Sequence, residues 1–354
     1  MKEVIKRKIK ESPEQQIDYA CFIELALYHR TEGYYMKPIQ KIGKKGDFYT
    51  SSMVSDVFGS IMADVMADFI ENEKLAPVIC EIGAGDGRFA SSVLQAIKQK
   101  NKLLYADLVY IIIEKSPYHK ELLQKLPDEK VQLYDSFDKV LKDWPEFNGV
   151  IFSNELLDAM PVHVIENNGG KIAEVFISID ENGGLIEKTE VCENTAILEW
   201  MEKYGPRLSD GQRIEVPLVM TDWLNRVFNW LERGFVITID YGYRKKEWEH
   251  PARMEGSLRG YYKHQLKHDP LYKPGNMDLT AHVHLEALIE IGNEAGLKTI
   301  GDIPQGDYLI KNGLWDYLQN VADSDPFSEA HKQNRAVRTL GSLNDFQVIV
   351  QQKE

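Results

Sequence analysis

Residues 78–94, VICEIGAGDGRFASSVL, run a short apolar, β-branched segment into three alternating glycines, Gly83, Gly85 and Gly87, and then into a helix-like pattern. A strand that turns at once into a helix must find its next parallel neighbour by crossing over the sheet, and this restricts the chain to α/β topologies. Three further β-branched runs, DLVYIIIE, KVQLYD and NGVIFSNE, recur downstream with helix-like segments between them. The alternation predicts a mostly parallel sheet with helices on both faces.

Around this core, four segments are expected. Residues 1–75 read as a largely helical N-terminal region containing the loop IGKKGDFYTS, and residues 76–160 as the Rossmann-like core. Residues 161–233 change character: Asn-Gly-Gly and Glu-Asn-Gly-Gly divide alternating strands, a hairpin signal, and two helical patterns follow. Residues 234–354 re-enter the sheet at FVITIDYGY, pass an irregular Gly-, Pro- and His-rich stretch from Glu255 to Asn276, and end in helices and a last strand, DFQVIVQQK.

With 354 residues, 43% of them apolar and 27% charged, the chain can bury a large core without staples. A formal net charge of −13 argues against a general grip on nucleic acid, which needs clustered Lys and Arg. Cys21, Cys80 and Cys192 are far apart, so neither a disulfide framework nor a zinc site is expected, and a reduced cytoplasmic location is. The N-terminus lacks the continuous apolar region of a signal peptide, and no apolar run is long enough for a membrane span.

The glycine turn places backbone N–H groups and a helix N-terminus at the carboxyl edge of the sheet, where α/β proteins bind ligands. Its spacing is G-x-G-x-G, with Arg88 where a dinucleotide fingerprint needs its third glycine. Glu81, two positions before the first glycine, can orient the loop and attract a cation. Glu114 ends the second strand and fits a carboxylate accepting from both ribose hydroxyls; Asp135 ends the third, where an acceptor meets an adenine amino group. Glycine turn, Glu and Asp at three successive strand ends make the pattern of class I S-adenosylmethionine-dependent methyltransferases.

Several stretches resemble one family within that class, the MidA-like methyltransferases, relatives of the mitochondrial complex I assembly-factor protein arginine methyltransferase. They are GDFYTS (46–51), EIGAGDGR (81–88), SNELLDAMPV (153–162), IDYGY (239–243), GSLRGYYKHQ (256–265) and DPLYKPGNMDLTAHVHL (269–285). The resemblance implies a class I methyltransferase core with an N-terminal helical region, a β-hairpin insertion and C-terminal additions. It also implies S-adenosyl-L-methionine as cofactor and arginine of a protein partner as acceptor. In this sequence His284 stands where the family pattern leads one to expect an aspartate.

Methyl transfer needs an aligned nucleophile and a dry site more than it needs acids or bases. If the nucleophile is a guanidinium nitrogen, carboxylates must hold the flat cation. Glu155 and Asp158, just past the fourth strand, are the candidate catalytic pair, three apart and so expected on one face of a short helical turn; an ordinary helix start capped by Asn154 is the alternative. Asn154 is placed with the cofactor, as are Asp47, Tyr49 and Thr50, which the resemblance favours as a lid. Asp240 and Tyr241, at the end of the fifth strand, are assigned to the substrate side together with Arg259 and His282. No metal is expected, since His282 and His284 have no third ligand at a recognisable spacing. A small-molecule substrate, or an assembly protein that keeps the cofactor while working through contacts, are the competing readings.

Overall fold

The computed structural model describes residues 1–39, 41, 55–126, 128–321 and 325–354; the proposed lid residues Asp47, Tyr49 and Thr50 lie outside the described residues. The chain divides into two compact units, each drawn from three separate stretches.

One unit, residues 49–156, 227–241 and 292–354, is built on seven strands. These are β1 (Val78–Ile82), β2 (Val109–Ile113), β3 (Val131–Tyr134), β4 (Phe147–Asn154), β5 (Leu231–Tyr243), β6 (Lys298–Pro304) and β7 (Phe346–Lys353). Their spatial order is β6-β7-β5-β4-β1-β2-β3. The strands from β3 to β5 are mutually parallel, and only β7 runs antiparallel, to both β5 and β6. The order reverses at β1, so the carboxyl end of β1 is the switch point where such sheets open a crevice for a ligand. All five residues of β1 are buried, as expected of a strand covered on both faces. The helices Asp56–Asn72 and Arg88–Lys100 contribute Phe58, Met62, Phe89 and Val93 to the core, where Phe89 stacks on Phe152 of β4 at 4.2 Å.

The other unit, residues 1–48, 157–226 and 242–291, holds the helices Lys2–Glu11 and Tyr19–Tyr28 and the antiparallel strands His163–Asn168, Lys171–Ile179, Leu185–Val191 and Arg213–Val216. The hairpins fall where the glycine pairs predict them: Gly169 and Gly170 both adopt positive φ between the first two of these strands. Ile5, Ile9, Phe22 and Ile23 pack with Val164, Val175, Ile177 and Leu279 in a separate core.

Two local expectations fail. The stretch from Glu255 to Asn276, read as irregular, contains the antiparallel hairpin Arg259–Tyr262 and Gln265–Lys267, with Arg259–Tyr262 also paired to Asp278–Thr280. Its turn, Lys263 and His264, is left-handed at both residues, φ 51° and 59°, without the Asn or Gly that makes such turns legible. The helical turn expected over Glu155 and Asp158 is not formed, because Glu155 itself adopts φ 51°.

Candidate functional site

In the seven-stranded unit Glu81 with Gly83, Gly85 and Gly87, then Glu114, and then Asn154 stand at the ends of β1, β2 and β4, and Asp135 directly follows β3. Gly83, Gly85 and Gly87 have φ 78°, 56° and 82°, a run that residues with a side chain rarely adopt, and Gly87 opens the helix Arg88–Lys100. A Cβ on Gly83 would stand 2.9 Å from Leu156, and one on Gly87 would stand 2.7 Å from Leu123. The turn is therefore bare of side chains for two reasons, conformation and space.

Glu114 is buried, and its carboxylate is the anchor of this turn. Oε2 accepts from the Gly85 amide at 3.0 Å and Oε1 from the Ser116 amide at 2.7 Å, while His119 Nδ1 stands 3.8 Å from Oε2. A carboxylate has about four lone-pair sites, so two backbone bonds leave capacity for further donors such as ribose hydroxyls. Glu81 is buried inside the sheet and accepts from Tyr110 Oη at 2.8 Å; burial raises its carboxyl to about 8, and the Glu114 charge pushes the same way. In the absence of a nearby cation Glu81 thus holds its proton at neutral pH.

Asp135, expected to meet an adenine amino group, is part-exposed and lies among lysines. It pairs with Lys139 at 2.7 Å and Lys120 at 3.6 Å, and the hydrogen bond from Lys139 holds its carboxyl below the usual aspartate value.

At the end of β4, Asn154 Nδ2 donates to Glu155 Oε1 at 3.1 Å, while Asn154 Oδ1 is buried with no hydrogen-bond partner among the described residues. A buried amide oxygen of this kind calls for a donor. A bare glycine turn, a carboxylate with spare acceptor capacity and an orphaned amide oxygen together fit a nucleoside cofactor with an amino-acid end. Asp240 serves the same corner from β5. Its Oδ2 accepts from the Leu156 amide at 3.2 Å and its Oδ1 from its own neighbour, Tyr241, so it braces the chain just after Glu155. Tyr241 packs edge-on against Phe346 of β7.

In the other unit, Asp158, Arg259 and His282 come together although the first and last are 124 positions apart in the chain. Asp158 Oδ2 accepts from Thr280 Oγ1 at 2.8 Å, and Thr280 is the register partner of Arg259. The His282 ring stacks on Tyr243 at 4.0 Å; burial, with the Arg259 and Arg253 charges, lowers it to about 3, so it is a neutral imidazole. His284 is a core residue: its Nε2 donates to the Glu215 carbonyl at 2.8 Å, the ring stacks on Trp248, and burial lowers it to about 4.

Sequence reasoning missed Glu215. Its buried carboxylate receives the Ser257 amide at 3.0 Å, the Ser257 hydroxyl at 2.7 Å and the Leu258 amide at 3.0 Å, and Ser257 Oγ in turn accepts from the His282 amide at 2.9 Å. Gly256 has φ 73°, and a Cβ there would run into the same carboxylate. A lone acid in the apolar strand RIEVP, with a Gly-Ser pair downstream, was the available signal. No group of three or more His, Cys, Asp or Glu able to hold a metal occurs among the described residues.

The model of a family of S-adenosyl-L-methionine-dependent methyltransferases matches residues 61–303 of the chain. The chain belongs to this family. A member of the same class of fold from Burkholderia thailandensis, whose crystal structure holds S-adenosyl-homocysteine, superposes with a TM-score of 0.85 at 26% identity, covering 99% of this chain and 92% of that one. Among curated proteins, the mouse "Protein arginine methyltransferase NDUFAF7, mitochondrial" is 26% identical over 84% of this chain and 71% of its own length. The human protein of that name is 24% identical over 84% and 70%. The methyltransferase is thus S-adenosylmethionine-dependent, with the Rossmann-like core that the strand order displays.

Proposed function

We propose that this methyltransferase acts on an arginine of a protein partner. The observation that supports the reading most is that the curated relatives, matched over more than four-fifths of this chain, are named protein arginine methyltransferases. The acids Glu155 and Asp158 just past β4 agree with it, since a guanidinium needs carboxylates to hold its plane and receive its proton.

In this reading S-adenosylmethionine, when bound, would supply an electrophilic sulfonium methyl for in-line transfer to nitrogen. Glu114, which fixes the Gly85 amide, would hold the ribose, and Asn154 Oδ1 would accept from the amino-acid end. Glu155, held by Asn154 and by the Asp240 brace, orients the guanidinium and accepts the proton it sheds. Arg259 and His282, in the other unit, are assigned to the substrate with Asp158 beside them, and the lid assignment of Asp47, Tyr49 and Thr50 belongs to the same proposal.

The test is to incubate the enzyme with methyl-labelled cofactor and a lysate freed of small molecules, then hydrolyse the protein and identify the labelled amino acid. Label in methylarginine is expected. Label confined to small molecules, on adding them back, would replace this reading with a metabolite methyltransferase.

A further inference from the structure

The hairpin of residues 259–267 is unlike the rest of this acidic chain. Between residues 259 and 276 stand Arg259, Lys263, Lys267 and Lys273, together with His264 and His268, against a single carboxylate, Asp269, in a chain of net charge −13. The lysines are laid over tyrosines. Lys273 Nζ lies 4.3 Å from the Tyr262 ring centre and 5.2 Å from that of Tyr272, Lys267 lies 5.7 Å from Tyr272, and the two rings meet edge to face at 6.3 Å. The hydrogen-bond partners of Lys267 and Lys273 are neutral, the Gln265 amide and the Tyr262 hydroxyl. Among the described residues, then, no carboxylate pairs with either ammonium group.

Lysines on an exposed strand edge often serve only to discourage edge-to-edge pairing. That role needs charge alone. It needs neither an aromatic platform beneath the ammonium groups nor a tip, Lys263 and His264, held left-handed at two consecutive residues that have side chains, a conformation that costs on the order of 1 kcal/mol or more at each. The outer edge of Gln265–Lys267 pairs with no strand among the described residues, and an extended segment can add there through its main chain. The hairpin is also continuous with the substrate side: Arg259, at its root, is the register partner of Thr280, whose hydroxyl donates to Asp158.

We propose that this hairpin, with Tyr272 and Lys273, is a docking surface for an acidic, extended segment of the protein substrate. The proposal rests on the protein-arginine reading for the kind of partner. Ammonium groups already held over aromatic rings lose little freedom when a carboxylate arrives, which favours binding over mere attraction.

The probe is a fluorescein-labelled peptide with a block of glutamates separated from one arginine by a short glycine spacer, and a twin with lysines for glutamates. Anisotropy with the full chain and S-adenosyl-homocysteine should show the acidic peptide binding about 10-fold or more tightly, with the advantage fading as salt is raised. The triple substitution Lys263→Glu, Lys267→Glu and Lys273→Glu should reverse the preference while S-adenosyl-homocysteine binds as before, which controls for folding. A triple variant that keeps the preference overturns the proposal, as does a wild-type chain that prefers anionic vesicles or duplex DNA to the peptide. Equal labelling of lysate arginine by wild type and variant would sink the docking surface and leave arginine methylation standing. Charge-dependent peptide binding with no arginine labelled anywhere would do the opposite.

Discussion

The Gly85 amide donates to the Glu114 carboxylate across 3.0 Å, tying the centre of the glycine turn on β1 to the end of β2. The residue expected to hold the ribose is therefore also a strut of the turn. Removing its side chain should act twice, on the ligand and on the loop that receives it.

Glu114→Ala is expected to weaken S-adenosyl-homocysteine by about 1.5–3 kcal/mol, roughly ten- to a hundred-fold, the range for hydrogen bonds to a charged group. Titration calorimetry measures it. An unchanged dissociation constant would place the ribose elsewhere. Gly85→Val should remove binding altogether, because a β-branched residue cannot take φ 56° without strain, while thermal unfolding stays cooperative.

Glu155→Gln keeps the shape of the side chain and removes its charge. Turnover should fall about a hundred-fold, within the range for one positioned acid–base group, with cofactor affinity nearly unchanged. Loss of cofactor binding instead would move Glu155 to the amino-acid end of the cofactor, where its contact with Asn154 already points.

The Glu81 carboxyl gives the cofactor-free protein a pH signature. Its value is raised by burial from 4.5 to about 8, so the unfolded chain releases this proton first as pH climbs. The stabilisation is complete below about 4.5 and is lost as pH rises through about 8. Melting temperatures of wild type should fall between pH 6 and 9 more steeply than those of Glu81→Gln, whose amide does not titrate. Parallel slopes for the two proteins would mean that Glu81 is ionised throughout.

Glu215→Ala would strand the Ser257 amide and hydroxyl and the Leu258 amide in a buried place. A loss of about 3 kcal/mol or more is expected in denaturant unfolding, the scale for breaking a buried charged network. Glu215→Gln should recover part of it, since an amide oxygen accepts from some of the same donors. A variant as stable as wild type would show that the segment from Gly256 to Leu258 is held by other contacts.

Local chemistry made much of the core legible. Four β-branched runs and a G-x-G-x-G turn are contiguous patterns, and each strand they mark is present, as are the hairpins announced by Gly169 and Gly170. Glu81, Glu114 and Asn154 could be placed at strand ends because a strand's end is visible in its own sequence. The strand Lys298–Pro304 could not be read so easily: Gly301 and Pro304 interrupt its pattern, and it exists by pairing with Phe346–Lys353. The hairpin turn at Lys263 and His264 has no turn residue to betray it; its strands are fixed by pairing Arg259–Tyr262 to Asp278–Thr280.

What the sequence determined by itself was the order of strand, turn and helix, while its motifs carried the resemblance to the family and, through it, the cofactor. Only the tertiary structure decided what each polar side chain is for. It ties Asp135 to two lysines, turns Asp240 into a backbone brace, buries His284 in the core, and makes Glu215 the anchor of a segment 42 residues away. The physical reason is that a carboxylate's partners are chosen by distance in space, whereas periodicity and turn chemistry report only on neighbours along the chain.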